Sequence, residues 1–124
     1  MKINLSIFAF AAQGEGISGG DRIFIELARR SIKDCNVHIF VSDEGKKMCI
    51  RNILVKREID FQTSNLSKYK KFGFTIFYFR LLLESIIKGI SIKFGKQGKG
   101  VLIYSASEFW MDSVPCLLIK LRFP

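Results

Sequence analysis

The run Val37-His38-Ile39-Phe40-Val41 constrains this chain more than any other short segment. It is apolar nearly throughout and rich in β-branched residues. A strand with one wet face alternates polar and apolar positions, whereas an unbroken apolar run must be covered on both faces. That is the pattern of a parallel sheet sandwiched between helices. Lys2 to Phe8 reads as a strand before it, with alternation in Lys2-Ile3-Asn4-Leu5-Ser6-Ile7. Ile53 to Ile59 and Val101 to Tyr104 read as a third and a fourth strand.

Helical segments separate these strands. Asp21 to Lys33 follows the first, with Ile23 and Leu27 grouped with Phe24, Ala28 and Ile32, and with Arg22, Glu26 and Arg30 at i, i+4 spacing. Ser42 or Asp43 caps a short helix running to about Asn52. Leu66 to Phe94 is mostly helical, and Gly73 marks a kink or a late start. Arg80, Glu84 and Lys88 stand one turn apart there, forming one charged stripe on an otherwise buried helix. Asp112 suits an N-cap, with Pro115 in the first turn of a helix reaching about Arg122. Strand followed by helix, four times over, predicts an α/β fold: a Rossmann-like parallel sheet of four strands with right-handed crossovers and helices on both faces.

With 124 residues and 48% hydrophobic composition, the chain can build one domain core and is too apolar for disorder. Twenty Lys and Arg against eleven Asp and Glu favour anionic partners. The cations gather at Lys46, Lys47, Arg51, Lys56 and Arg57, at Lys68, Lys70 and Lys71, and at Lys88, Lys93, Lys96 and Lys99. They are spread over several elements without interleaved aromatics, so no specific nucleic-acid reader is expected; a solubilising surface accounts for them as well. Cys35, Cys49 and Cys116 lack metal-ligand spacing, and with one His (His38) no metal site is expected. Reduced thiols suit the cytoplasm. Phe72 to Ile92 has the length of a membrane span, but its three charges make insertion costly.

In doubly wound sheets, ligands bind beyond the carboxyl ends of the strands. Two segments fall there. Gly14-Glu15-Gly16-Ile17-Ser18-Gly19-Gly20 spells a G-x-G-x-x-G between a strand and a helix, with Asp43 as an acidic residue further on. That spelling admits a dinucleotide site and hence a small oxidoreductase domain. Against it, Ala9 to Gln13 separate the glycines from the strand, and the helix opens on bulky Asp21-Arg22. Gly19 and Gly20 also suit a phosphate at a helix N-terminus, where unpaired N–H groups favour anions. A plain surface loop is the third reading. The second segment, Tyr104 to Pro115, gathers hydroxyls, carboxylates and aromatic rings suited to a sugar; capping by Asp112 and core packing by Phe109 and Trp110 would account for it equally.

Gly16-Ile-Ser-Gly-Gly-Asp-Arg-Ile-Phe-Ile-Glu-Leu-Ala-Arg-Arg, Val37-His-Ile-Phe-Val and Tyr104-Ser-Ala-Ser-Glu-Phe-Trp-Met-Asp-Ser-Val-Pro together resemble the start of family 4 glycosyltransferases. The resemblance implies a GT-B fold of two Rossmann-like domains facing across a cleft, with retaining sugar transfer. Residues 1–124 would form part of the N-terminal, acceptor-side domain, and the nucleotide-sugar domain would be absent or separately encoded. It places Gly19 and Gly20 against the donor diphosphate, and Ser105, Ser107, Glu108 and Asp112 around the acceptor pocket. It implies a nucleotide-sugar as co-substrate with no other cofactor and a glycan or lipid-linked acceptor; because Ser107-Glu108 stand where many relatives carry a His, no catalytic base is carried over. The expected setting is cytoplasmic, at the inner membrane face, with Lys68, Lys70 and Lys71 against anionic lipid. Turnover by the chain alone is not expected.

Overall fold

The computed structural model describes residues 3–12, 19–51, 59–92, 101–107 and 109–122. Four strands form one parallel sheet: β1 (Ile3–Phe8), β2 (Cys35–Ser42), β3 (Ile59–Ser64) and β4 (Val101–Ser105), in the order β3-β2-β1-β4. The helices are α1 (Gly19–Ser31), α2 (Asp43–Arg51), α3 (Phe74–Ser91) and α4 (Trp110–Arg122), with a 3₁₀ turn at Ser67–Phe72. The alternating α/β order and the parallel sheet follow the sequence reading.

Strand alternation divides the core in two. Leu5, Ile7, Val37, Ile39 and Val41 pack with Phe24, Ile25 and Ala28 of α1 and Met48 of α2. Phe8, Phe10 and Phe40 point the other way, against Phe77 and Leu81 of α3 and Met111 and Ile119 of α4. Phe8 and Phe40, opposite each other on β1 and β2, stack with centroids 4.6 Å apart. Cross-strand aromatic pairs of this kind fix register as well as burying area. The unbroken apolar run of β2 serves both cores, as its pattern requires.

Several local expectations are corrected. In α1 the buried face centres on Phe24, Ile25 and Ala28, and Ile23 is exposed. Glu26 pairs with both Arg29 and Arg30. Of the expected third strand, residues 53–58 lie outside the described residues; β3 continues from Ile59 to Ser64. The 3₁₀ turn precedes Gly73, whose φ of 98° is left-handed, so α3 starts late, at Phe74. Asp43 holds that turn: its carboxylate accepts from the amides of Leu66 and Ser67 (3.3 and 3.1 Å) and from the Ser67 hydroxyl.

The charged stripe of α3 faces inward, not out. Glu84 accepts from Ser64 Oγ at 3.0 Å and pairs with Arg80 at 3.7 Å, while the Arg80 guanidinium lies 5.2 Å from the centre of the Tyr69 ring. The helix buries Phe77, Leu81, Ser85 and Gly89, and leaves Ile76, Phe79, Leu83, Ile87 and Ile90 exposed. α3 and α4 approach closely at Gly89: a methyl group there would lie 2.9 Å from Pro115 Cα and 3.1 Å from its Cβ. Pro115 is the sixth residue of α4, not in its first turn, so the Met111 carbonyl receives no bond from it.

Candidate functional site

The strand order turns at β1: β2 and β3 lie on one side of it and β4 on the other. This change of direction at β1 is where doubly wound sheets place their ligand crevice, beyond the carboxyl ends of the strands. β1 remains paired to its exit, with Ala106 N–H donating to the Phe8 carbonyl (3.0 Å) and Ala9 N–H to that of Phe40 (2.9 Å). The backbone then runs through Ala11 and Ala12 toward α1. The glycines at 14 and 16 lie outside the described residues; Gly19 and Gly20 are the first two residues of α1.

Asp112 closes the other side. It is fully buried, in the first turn of α4, and does not act as the N-cap; that place belongs to Phe109, whose carbonyl accepts the Ser113 amide at 2.9 Å. One Asp112 oxygen accepts the Ala11 amide at 3.3 Å, and the other accepts the Ser107 hydroxyl at 2.6 Å. Ser107 Oγ in turn accepts the Phe109 amide at 3.2 Å, and the Ser105 hydroxyl donates to the Ser107 carbonyl at 2.6 Å. Thus Ser105, Ser107 and Asp112, singled out from sequence, do come together. Their polar atoms are spent on one another and on the β1 exit, fastening the β1 and β4 connections across the crevice. Glu108 lies outside the described residues.

Burial pushes the Asp112 carboxyl up to about 7, against the hydrogen bonds from Ser107 and from the backbone of Ala11 and Phe10, which favour the ion; the Asp21 carboxylate adds to the upward push. Asp21 acts likewise on Cys49, whose thiol burial raises to about 12. The first turn of α1 is therefore within electrostatic reach of both the first turn of α4 and α2. Burial also carries Cys116 to about 12, so neither of these thiols supplies a nucleophile at neutral pH. His38 pairs with Asp60 at 3.0 Å. It stands four residues before the end of β2, roughly 13 Å short of the crevice along the strand.

α2 completes the rim. Ser42 Oγ accepts the Gly45 amide at 3.2 Å, which makes Ser42 the N-cap of α2. A methyl group on Gly45 would come within 2.9 Å of the Ala12 carbonyl oxygen, so the glycine lets α2 abut the β1 exit.

Sequence reasoning missed an apolar groove of about 210 Å³ beside the crevice, lined by Ala11, Phe77, Tyr78 and Met111, with the exposed Phe74 and Phe109 at its surface. Phe109 and Trp110 are exposed and do not pack in the core. The only signal for the groove was the i, i+4 pair Phe74 and Tyr78, at the start of a helix that begins at the carboxyl edge of the sheet. Among the described residues, no three His, Cys, Asp or Glu side chains gather as metal ligands. Compared with protein-family models, with curated proteins and with solved structures, the chain finds no match in any of the three.

Proposed function

We propose that this chain forms the acceptor side of a glycosyltransferase built from two Rossmann-like domains. In that reading a second such domain brings a nucleotide-sugar to the mouth of the crevice. The supporting observation is the β1–β4 crevice, flanked by the glycine-led first turn of α1 and held in shape by Asp112. A helix N-terminus favours anions, and at Gly19 and Gly20 no bulky side chain keeps a diphosphate away from the start of α1. Ser105, Ser107 and Asp112 frame the acceptor side, and the neighbouring groove accepts an apolar part of the acceptor. No residue is assigned as catalytic base. The retaining transfer step belongs to the assembled pair of domains.

The test is an amide NMR titration. Pyrophosphate and nucleoside diphosphates should shift the amides of Gly19, Gly20 and Asp21, with weak, millimolar affinity, and no nucleotide-sugar should be turned over by the chain alone. Sugar transfer by this chain unaided would refute the two-domain requirement. Micromolar binding of NAD(H), lost on Gly16→Val, would replace the proposal by a dinucleotide-binding oxidoreductase domain.

A further inference from the structure

α3 carries an uncovered apolar seam. Ile76, Phe79, Leu83, Ile87 and Ile90 recur at steps of three or four residues, and each is between 46% and 62% exposed. Two of the three charged residues of the same helix are directed elsewhere, Arg80 toward Tyr69 and Glu84 toward Ser64, and Lys88 is half-buried. Along about 27 Å of helix the outward surface is therefore hydrocarbon with almost no polar relief. Isolated exposed apolar residues are ordinary, but a continuous stripe of this kind marks a surface that meets something.

Charge indicates what it meets. The 3₁₀ turn, α3 and α4, which share one side of the sheet, carry seven cations and two acids. Of those acids, Asp112 is buried and Glu84 is engaged with Arg80 and Ser64. On the opposite side, α1 and α2 carry six cations against four acids. Among the described helices the larger positive excess thus lies on the layer that bears the apolar seam. It brackets the seam at both ends: Lys68 and Lys71 are exposed just before α3, while at its far end Arg122 donates to the Gly89 carbonyl at 2.7 Å. Two copies of a chain with net charge +9 would repel each other across this face. No helix among the described residues is long and apolar enough to cross a membrane. A helix with hydrocarbon outward and cations at its margins lies in the plane of a bilayer interface.

We propose that the α3 face docks on an anionic phospholipid surface, with the seam in the headgroup–acyl boundary and Lys68 and Lys71 against lipid phosphates. The proposal stands apart from the sugar-transfer reading and survives if that reading fails.

Co-sedimentation of the 124-residue chain with vesicles tests it. Vesicles of phosphatidylcholine with phosphatidylglycerol should capture the protein, and pure phosphatidylcholine should not. Leu83→Glu with Ile87→Glu should cut partitioning at least tenfold; both positions are exposed, so circular dichroism should show the fold intact. Lys68→Gln with Lys71→Gln should weaken binding by roughly fivefold per cation. Lys33→Gln with Lys47→Gln, of equal charge change on the α1–α2 side, should alter it less than twofold. Equal capture by neutral and anionic vesicles, or equal losses from the two lysine pairs, would overturn the proposal. So would a stable dimer that ignores vesicles and dissociates on Leu83→Glu, since a second copy would then own the seam.

Discussion

Replacing Asp112 by Asn isolates the energetic cost of the crevice latch. The carboxyl is fully buried and its folded-state value of about 7 stands above the ordinary value of 3.8, chiefly through burial. A raised acid binds its proton more tightly folded than unfolded, so between these two values stability falls as pH rises. At about 1.36 kcal/mol per unit, the full excursion is on the order of 4 kcal/mol. Asn keeps an oxygen for the Ala11 amide and turns its NH2 toward Ser107 Oγ, so the geometry persists without the ion. Urea unfolding of both proteins from pH 4 to 8 reads the effect. Near pH 4 the two should be within about 1 kcal/mol of each other. Toward pH 7.5 the variant should gain steadily, to a few kcal/mol, and then hold level. Taking the difference cancels groups titrating in the opposite sense, such as Asp60, whose carboxyl the His38 hydrogen bond lowers despite the upward push of burial. A difference that does not change with pH over this window would refute the account of Asp112 as a buried, desolvated acid. Asp112→Ala is the companion control: it leaves the Ala11 amide and the Ser107 hydroxyl without a partner and should destabilise near pH 4 by about 1–3 kcal/mol per buried group, a deficit that shrinks toward pH 7.5 as the parent itself loses stability.

Gly89→Ala forces a methyl against the Pro115 backbone at 2.9 Å and should cost about 1–3 kcal/mol of stability by chemical denaturation, because backbone on both helices must shift. Asp43→Ala removes the acceptor of the 3₁₀ turn and should cost about 1–2 kcal/mol at pH 7. Burial pushes the Asp43 carboxyl up, but the hydrogen bonds from Ser67 and Leu66 outweigh it and leave it lowered. Its contribution should therefore be complete above the unfolded-state value and vanish as pH falls through the folded one, so the variant and parent should converge in acid. Asp21→Asn removes a carboxylate from the first turn of α1 and should tighten pyrophosphate binding severalfold, as read by amide shifts at Gly19 and Gly20.

The sheet was legible because its two central strands advertise burial: Val37 to Val41 has no wet face, and Ile3 to Phe8 switches from alternation to continuous burial. The stretch of β3 from Asp60 to Ser64 was missed because Asp60, Gln62, Thr63 and Ser64 read as loop, although parallel pairing with β2 holds them in register. That strand is specified by its neighbour more than by its own composition. Ser105, Ser107 and Asp112 were found from their position after a strand, but their mutual bonding was not, since it depends on Ala11, 101 residues away from Asp112. The polarity of α3 was read inside out. Periodicity locates the charged stripe but not which side the sheet takes, and the partners Tyr69 and Ser64 arrive from other elements.

These reversals have one cause. α3 must bridge β3 to β4 across β2 and β1, so it lies over a sheet face already lined by Phe8, Phe10 and Phe40. Phe77 and Leu81 fill that space, and Gly89 lets Pro115 of α4 come close, which limits how much of α3 the domain itself can cover. The remaining arc of an almost wholly apolar helix is then exposed by geometry, not by a shortage of polar residues: Arg80 and Glu84 were available and are turned inward. Placing two charged side chains against the 3₁₀ turn and β3 while leaving leucine and isoleucine in water is unfavourable for an isolated domain, since each large apolar side chain left exposed forgoes about 1.5–3 kcal/mol. The arrangement becomes favourable once a hydrocarbon environment replaces water along the seam. The same layer that supplies this face also supplies Met111, Phe77 and Tyr78 to the groove beside the crevice. A surface-bound α3 would thus hold the groove close to the boundary where amphiphilic acceptors reside, and vesicle binding and crevice chemistry become properties of one packed layer.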